Sequence, residues 1–183
     1  MATPGPGAPC AGTSRPTSST NCVPSEGELR MIYRYVVERK LRNAFAALNR
    51  GDHGPVLASF GPQVEHVFFG DHALAGARHH MDSIEPWYAR LRRVLPDLRF
   101  DIESIVVRGM PWNTVALVEW RDQFSLKNGA RRGNQGVHAL RLKWGKVVSL
   151  RVYCDTQVLA GVLREQHALG VADAGLAPIV DAA

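Results

Sequence analysis

Residues 113 to 156 constrain the fold most, because three long runs of β-forming residues follow one another there. The runs are NTVALVEWRDQFSL, ARRGNQGVHALRLKW and KVVSLRVYCDT, and they are separated by the Lys127-Asn128-Gly129 turn and by Gly145. Long strands joined by tight glycine-containing turns predict an antiparallel meander. This segment therefore predicts a sheet that is built from hairpins.

Polar and titratable residues interrupt the otherwise apolar runs of this meander. They are Glu119, Arg121, Gln123, Asn134 and His138. Side chains two residues apart point to the same face of a strand, so Glu119, Arg121 and Gln123 are expected to share one face with Val115 and Leu117. A face that carries both apolar and hydrogen-bonding groups predicts the wall of a ligand cavity.

Before the meander, the chain changes from a polar tail to a helical pattern. Residues 1–24 are rich in Pro, Gly, Ser and Thr and carry only one charge, at Arg15. Such a segment buries too little apolar area to offset its ordering entropy, which predicts a disordered tail. Residues 25–170 are expected to form one α+β domain, and residues 171–183 a flexible or docking tail.

The remaining elements follow from periodicity and end signals. Ser25 and Glu28 form a capping-box pattern that begins a helix ending near Arg50. Further helices are predicted around residues 55–60, over 79–94 and over 156–169, and strands over 64–69 and 98–108. Leu29, Ile32 and Val36 are expected on the buried face of the first helix.

Composition and spacing argue against several classes of function. The formal net charge of +5 comes from dispersed Arg and Lys residues without an aromatic-interleaved signature, so nucleic-acid binding is not expected. No run is long enough for a membrane span, and no secretory signal is evident, which predicts a soluble cytoplasmic protein. The three cysteines lack metal or disulfide spacing, and His79 and His80 diverge on a helix. Neither a metal nor a cofactor is expected.

The element order, together with Gly51-Asp52, Leu74-Ala75-Gly76 and Gly145-Lys146-Val147 leading into Tyr153-Cys154-Asp155-Thr156, resembles the SnoaL-like branch of the nuclear-transport-factor-2-like superfamily. The resemblance implies a cone-shaped, curved antiparallel sheet wrapped around helices, the cystatin-like cone roll, with a deep pocket. Polyketide cyclases, ketosteroid isomerases and epoxide hydrolases share that fold with proteins that only bind or assemble, so the fold does not decide the function.

The resemblance also suggests pocket residues. It implies that His66 reaches the cavity as a catalytic group, and that Asn134, His138, Gln123, Phe68, Trp87 and Val152 contact the substrate. The water-activating set of the epoxide-hydrolase branch is incomplete, because Glu119 and Arg121 stand in reversed charge order and Val152 replaces an aspartate. Asp155 is either an N-cap of the last helix or a catalytic carboxylate.

Glu119 is the first candidate for proton transfer, because burial would raise its pKa toward neutrality. Arg121 is the third predicted catalytic residue and would, with Asn134 and His138, orient and polarise an oxygen of the substrate. Its position beside Glu119 also leaves a second interpretation, a structural ion pair, and a Glu119 not paired to Arg121 would favour catalysis. His66 is equally interpretable as a core histidine.

The hypothesis is a cofactor-independent lyase, isomerase or cyclase for a hydrophobic cyclic or polyketide-like molecule. The alternative is a ligand-binding or dimerisation module without turnover. A homodimer through the outer face of the meander is also expected, with Trp112, Trp120, Phe124 and Trp144 at its interface.

Overall fold

The computed structural model describes residues 25–181, so the predicted disordered tail, residues 1–24, lies outside the described residues. The elements are α1 (Glu26–Leu48), α2 (Gly54–Ser59), β1 (Phe60–Phe68), β2 (Gly76–Arg78), α3 (Met81–Val94), β3 (Arg99–Met110), β4 (Asn113–Ser125), β5 (Arg131–Lys143), β6 (Lys146–Cys154), α4 (Thr156–Ala168) and a 3-10 turn at Ala172–Gly175. The α+β class is confirmed. The short strand β2 and the 3-10 turn were not predicted.

One curved sheet of six strands organises the domain, in the order β2-β1-β6-β5-β4-β3. All neighbouring strands are antiparallel except β1 and β6, which pair in parallel. Buried residues of α1, α3 and α4 join those of the sheet in a single hydrophobic cluster. The helices therefore cover one face of the sheet, and the space between the two layers is where a ligand can be enclosed.

The helix ends agree with the sequence signals. The Ser25 side chain accepts a hydrogen bond from the backbone N–H of Glu28, and the Glu28 carboxylate accepts one from the backbone N–H of Ser25. At the start of α4, one Asp155 carboxylate oxygen accepts from the backbone N–H groups of Gln157 and Val158, at 3.1 and 3.0 Å. Asp155 is therefore a helix cap, which satisfies two of the free donors at that end.

The face assignment of β4 was wrong by one residue. Burial alternates strictly along the strand, and Glu119, Arg121 and Gln123 are on the exposed side. The helix-covered side carries Trp120 and Asp122, together with Thr114, Ala116, Val118 and Phe124. Because the side-chain period of a strand is two, a shift of one residue exchanges the whole set between the faces. Trp120 and Phe124 therefore lie in the core and not on the outer face.

The first half of α1 also differs from the prediction. Leu29, Ile32 and Val36 are exposed, and the buried residues of this helix begin at Val37. The first turns of α1 extend past the rest of the described domain, so no other element covers these three side chains. Helical periodicity shows which residues share a face but not whether a neighbour packs against it.

Residues 176–181 lie across the α3 side of the domain, and we call them the C-terminal strap. Two buried arginines bind its backbone: Arg78 Nη1 donates to the carbonyl of Ile179 at 2.6 Å, and Arg90 Nη1 to that of Ala177 at 2.6 Å. The Asp181 carboxylate accepts from Ser83 Oγ at 2.6 Å. The strap thus supplies acceptors to guanidinium groups that the core has enclosed.

Within residues 25–181, none of the helices combines the length and the apolar character that crossing a membrane requires.

Candidate functional site

Two adjoining cavities lie between the helices and the covered face of the sheet. The first has a volume of about 50 Å³ and the second about 130 Å³. Leu48, Tyr88 and His138 line both, so these three side chains form the boundary between them. The walls of the first cavity are mostly aromatic and aliphatic, which makes its few polar groups the source of any chemistry.

Six of the nine predicted site residues line the first cavity. They are His66, Phe68, Trp87, Asn134, His138 and Val152. Glu119, Arg121 and Gln123 do not, because they lie on the outer side of β4. The Arg121 guanidinium lies 2.8 Å from the carboxylate of Glu103 on the neighbouring strand, and not against Glu119. The absence of the predicted pair says nothing about catalysis, since both groups are outside the cavity.

Asp122 is the cavity carboxylate that sequence reasoning missed. It is 9% exposed, and one of its carboxylate oxygens accepts a hydrogen bond of 2.6 Å from the backbone N–H of Asn134. Burial raises the pKa of Asp122 to about 6, although that hydrogen bond opposes the rise. The carboxyl group therefore changes protonation state near neutral pH, as a general acid or base must.

His138 lies on β5 with its ring held by Trp120. The indole Nε1–H of Trp120 donates to Nδ1 of His138 at 2.5 Å, so the neutral imidazole carries its proton on Nε2. Gly136 lies opposite Trp120, and a Cβ there would stand only 2.8 Å from Cζ2 of the indole. Burial lowers the pKa of His138 to about 3, so the ring stays neutral and can serve only as a hydrogen-bonding group at physiological pH.

His66, on β1, is joined to the buried Arg78 on β2. Arg78 Nε–H donates to His66 Nδ1 at 3.0 Å, which again leaves the imidazole proton on Nε2. Nε2 of His66 is buried and has no hydrogen-bond partner among the described residues. Burial, and then the Arg78 charge, lower the pKa of His66 well below its ordinary value. His66 is therefore a neutral donor, and the prediction that it transfers protons is not favoured.

Tyr88 completes the polar lining from the helix side. Its ring centroid lies 5.8 Å from that of His66, and burial raises the pKa of its hydroxyl. The group therefore remains a phenol, which can donate a hydrogen bond but cannot act as a base near pH 7.

Within residues 25–181, no three His, Cys, Asp or Glu side chains come together in an arrangement that could hold a metal ion. The chemistry that these residues can support is proton transfer by Asp122, assisted by neutral hydrogen-bond donors.

Comparison with known proteins agrees with the resemblance seen in the sequence. Residues 41–150 match the model of the SnoaL-like domain. No curated protein matches the chain significantly. Similar solved structures include an NTF2-like protein of unknown function from Burkholderia pseudomallei, at 20% identity and a TM-score of 0.60 over 69% of this chain and 95% of that one.

Two further structures have the same fold. A protein described as a SnoaL-like polyketide cyclase from Jannaschia is 16% identical over 70% of this chain and 92% of that one, with a TM-score of 0.59. TerC, co-crystallised with polyporic acid, is 17% identical over 69% of this chain and 96% of that one, with a TM-score of 0.57. At such identities these likenesses show the fold alone. Because the family model spans more than half of the sequence, the chain belongs to the SnoaL-like family.

Proposed function

We propose that this protein is a cofactor-independent isomerase, cyclase or lyase that transfers a proton on a hydrophobic cyclic molecule, with Asp122 as the acid-base residue. The observation that carries the proposal is a single carboxyl group, with a pKa of about 6, in the wall of an apolar cavity. Asp122 takes the role that the sequence suggested for Glu119.

The proposed reaction begins with removal of a proton from a carbon next to a carbonyl group. The ionised Asp122 takes the proton, and a negative charge develops on the carbonyl oxygen of the substrate. The Nε2–H of His66 and the hydroxyl of Tyr88 are neutral donors in the same apolar cavity, where hydrogen bonds to developing charge are strongest. The protonated Asp122 then returns the proton at the same or another carbon atom.

The names of similar proteins support a small-molecule role for the cavity. One is described as a polyketide cyclase, and TerC was crystallised with polyporic acid.

The free Cys154 thiol suits a reducing compartment, and we propose the cytoplasm as the location of the protein.

Proton transfer can be tested without knowing the natural substrate. We expect the protein to exchange the α-protons of a single-ring ketone for deuterium in D₂O, as followed by NMR, and Asp122→Asn to slow this exchange by about 10²–10⁴-fold. The matched control is Glu119→Gln, which makes the same chemical change on the outer side of β4 and should leave the rate unchanged. Equal rates for wild type and Asp122→Asn would refute the assignment.

The alternative function, a binding module without turnover, gives a different result in the same experiment. Single-ring ketones would then bind, as seen by broadening of their NMR lines, but none of them would exchange its α-protons faster than in buffer. That outcome would retain the cavity as a ligand site and remove Asp122 as a catalytic residue.

We also propose a homodimer that forms through the outer face of the sheet. Val115 and Leu117 on this face are 41% and 43% exposed, and Trp112 and Trp144 at its end are more exposed still. Sedimentation should show a dimer at micromolar concentration, and Leu117→Lys should shift it toward monomer, since the change places a charge in an apolar contact. Gln123→Lys adds the same charge on the same strand face away from the aliphatic residues and serves as control. A wild-type monomer at that concentration contradicts the pairing.

A further inference from the structure

Arg78 is a buried cation without an acidic partner. It is 0% exposed, and no carboxylate within the described range lies at salt-bridge distance from it. Its other donors reach the backbone carbonyls of Ala75, Gly76 and Ile179, at 2.6–3.0 Å. The guanidinium also lies over the Trp87 ring, 5.1 Å from its centroid. Neutral acceptors satisfy the hydrogen bonds but leave a positive charge inside the fold.

This charge is directed at the cavity through one residue. Arg78 Nε–H occupies Nδ1 of His66, and the opposite nitrogen, Nε2, carries the proton and has no partner among the described residues. A cation bonded to one side of an imidazole makes the N–H on the other side a stronger donor, because the ring is polarised. A buried donor left unpaired destabilises the fold, so a ligand that supplies an acceptor recovers that free energy.

The size and walls of the cavities restrict the shape of that ligand. Together the two volumes exceed the cavity of roughly 150 Å³ that holds benzene in another protein, but they are far below the 300–1,000 Å³ of ordinary drug-sized sites. Aromatic side chains, among them Phe68, Trp87 and Phe100, form the walls of the first cavity. The first cavity alone is smaller than one ring, so a single planar ring fits only where it extends past Leu48, Tyr88 and His138 into the second cavity. A fused multi-ring molecule does not fit even the joined space without rearrangement.

We propose that Arg78 and His66 form an oxyanion-binding site, and that its ligand is a single-ring aromatic compound with an acidic hydroxyl or enolisable carbonyl group, bound as the phenolate or enolate. This inference rests on the proposed function for its setting and names the substrate class of that site. His66 contacts the oxygen atom, and Arg78 is a positioning residue that acts through His66. The proton of the hydroxyl group goes to the buffer on binding.

Other titratable groups around His66 set the conditions of a test. They are Arg78 on β2, Tyr88 on α3, His138 on β5 and, across the same cavity, Asp122 on β4. Tyr88 and His138 stay neutral, so the charges that an anion meets are Arg78, which attracts it, and the ionised Asp122, which repels it. Asp122→Asn is therefore expected to strengthen anion binding.

The test uses 4-nitrophenol as the probe, because its phenol and phenolate forms absorb differently. We expect the pKa of the bound probe to fall by about one unit or more, which corresponds to a tenfold preference for the anion. 4-Nitroanisole, the methyl ether, has the same ring but cannot ionise, and it should bind without pH dependence above pH 7. These two measurements on the wild-type protein need no variant.

Variants then assign the effect to residues. His66→Phe should abolish the pKa shift of the probe but still bind 4-nitroanisole, whereas His66→Gln retains an N–H donor and an acceptor for Arg78 and should restore part of the shift. Arg78→Met should reduce the shift in the same way as His66→Phe. Arg90→Met is the matched control, since Arg90 is another buried arginine, bound to the Ala73 carbonyl and to the strap carbonyl of Ala177, and it should leave the shift intact.

The proposal is overturned if the probe does not bind up to its solubility limit, if its pKa rises on binding, or if His66→Phe preserves the shift. If the wild-type protein does not catalyse deuterium exchange but binds the probe as the phenolate, the proposed catalysis is overturned and this site is supported. If the protein catalyses exchange but does not prefer the phenolate form of the probe, the proposed catalysis is supported and this oxyanion site is overturned.

Discussion

Removal of residues 176–183 is expected to lower the free energy of unfolding on the order of 3 kcal/mol. The reason is that Arg78 and Arg90 each lose a backbone acceptor, the carbonyls of Ile179 and Ala177, at 2.6 Å. Hydrogen bonds to charged groups contribute about 1.5–3 kcal/mol each, and buried charges left short of acceptors are costly. Chemical denaturation of the truncated chain, compared with the full chain, measures the loss.

A graded control separates the backbone acceptors from the carboxylate of the strap. Asp181→Asn retains every strap carbonyl and changes the contacts to His79, His80 and Ser83, most of them at the surface, together with the longer-range attraction of Asp181 to Arg78. It should cost less than about 1 kcal/mol, in the range of exposed pairs. An equal loss for this substitution and for the truncation would show that the carboxylate, and not the arginine-carbonyl contacts, holds the strap.

The fold was readable from the sequence because its signals are local. The turn at Lys127-Asn128-Gly129, the capping box at Ser25 and the break after α3 each fix an end, and the long runs between them leave little choice of element. The structure confirms the meander and the curved sheet with its helices. The strand β2 was not predicted, because three residues are too few to show an alternating pattern.

The candidate site was only partly readable. In β4 both alternating sets of side chains contain aliphatic residues, so periodicity could not decide which set is buried. The set with Glu119 and Arg121 was assigned to the cavity because these two residues could carry chemistry. A signal was present: Trp120 and Phe124, the two largest side chains of the strand, share one set with Asp122. Burial of large aromatic side chains dominates core energetics and would have chosen that face.

Arg78 could not have been found in this way, because its role depends on tertiary contacts. It is an arginine in a three-residue strand, and nothing in its neighbourhood of the sequence distinguishes it from the exposed Arg92 and Arg93 of α3. One of its acceptors, the Ile179 carbonyl, comes from the strap, which begins about a hundred residues later. A contact between residues so far apart in the chain leaves no pattern in the local sequence.

The stability of the protein is expected to fall on acidification, because the buried rings of His66 and His138 stay neutral in the folded state, and His138 is the one tested. Burial lowers the pKa of this ring from 6.5 to about 3, so the unfolded chain binds the proton first. Its contribution to stability is complete above pH 6.5 and is lost as pH falls toward 3, at about 1.4 kcal/mol per pH unit. His138→Gln keeps an acceptor for the Trp120 N–H but does not titrate. From about pH 7.5 to about pH 4, this variant should gain about 3 kcal/mol relative to wild type.

Asp122→Asn is expected to change the pH dependence of stability in the opposite direction, although Asp122 lines the same cavity. The pKa of Asp122 is raised from 3.8 to about 6, so the folded state binds the proton first and gains stability as pH falls through that interval. The gain offsets part of the loss from His138, and Asp122→Asn should therefore be more acid-sensitive than wild type, while at about pH 7.5 it should be more stable because no charge is buried. Urea titrations of the three proteins at both pH values measure the two slopes. If both variants tilt the pH profile in the same direction, the two groups do not share one enclosed cavity with the burial described here, and the acid-base assignment of Asp122 loses its physical basis.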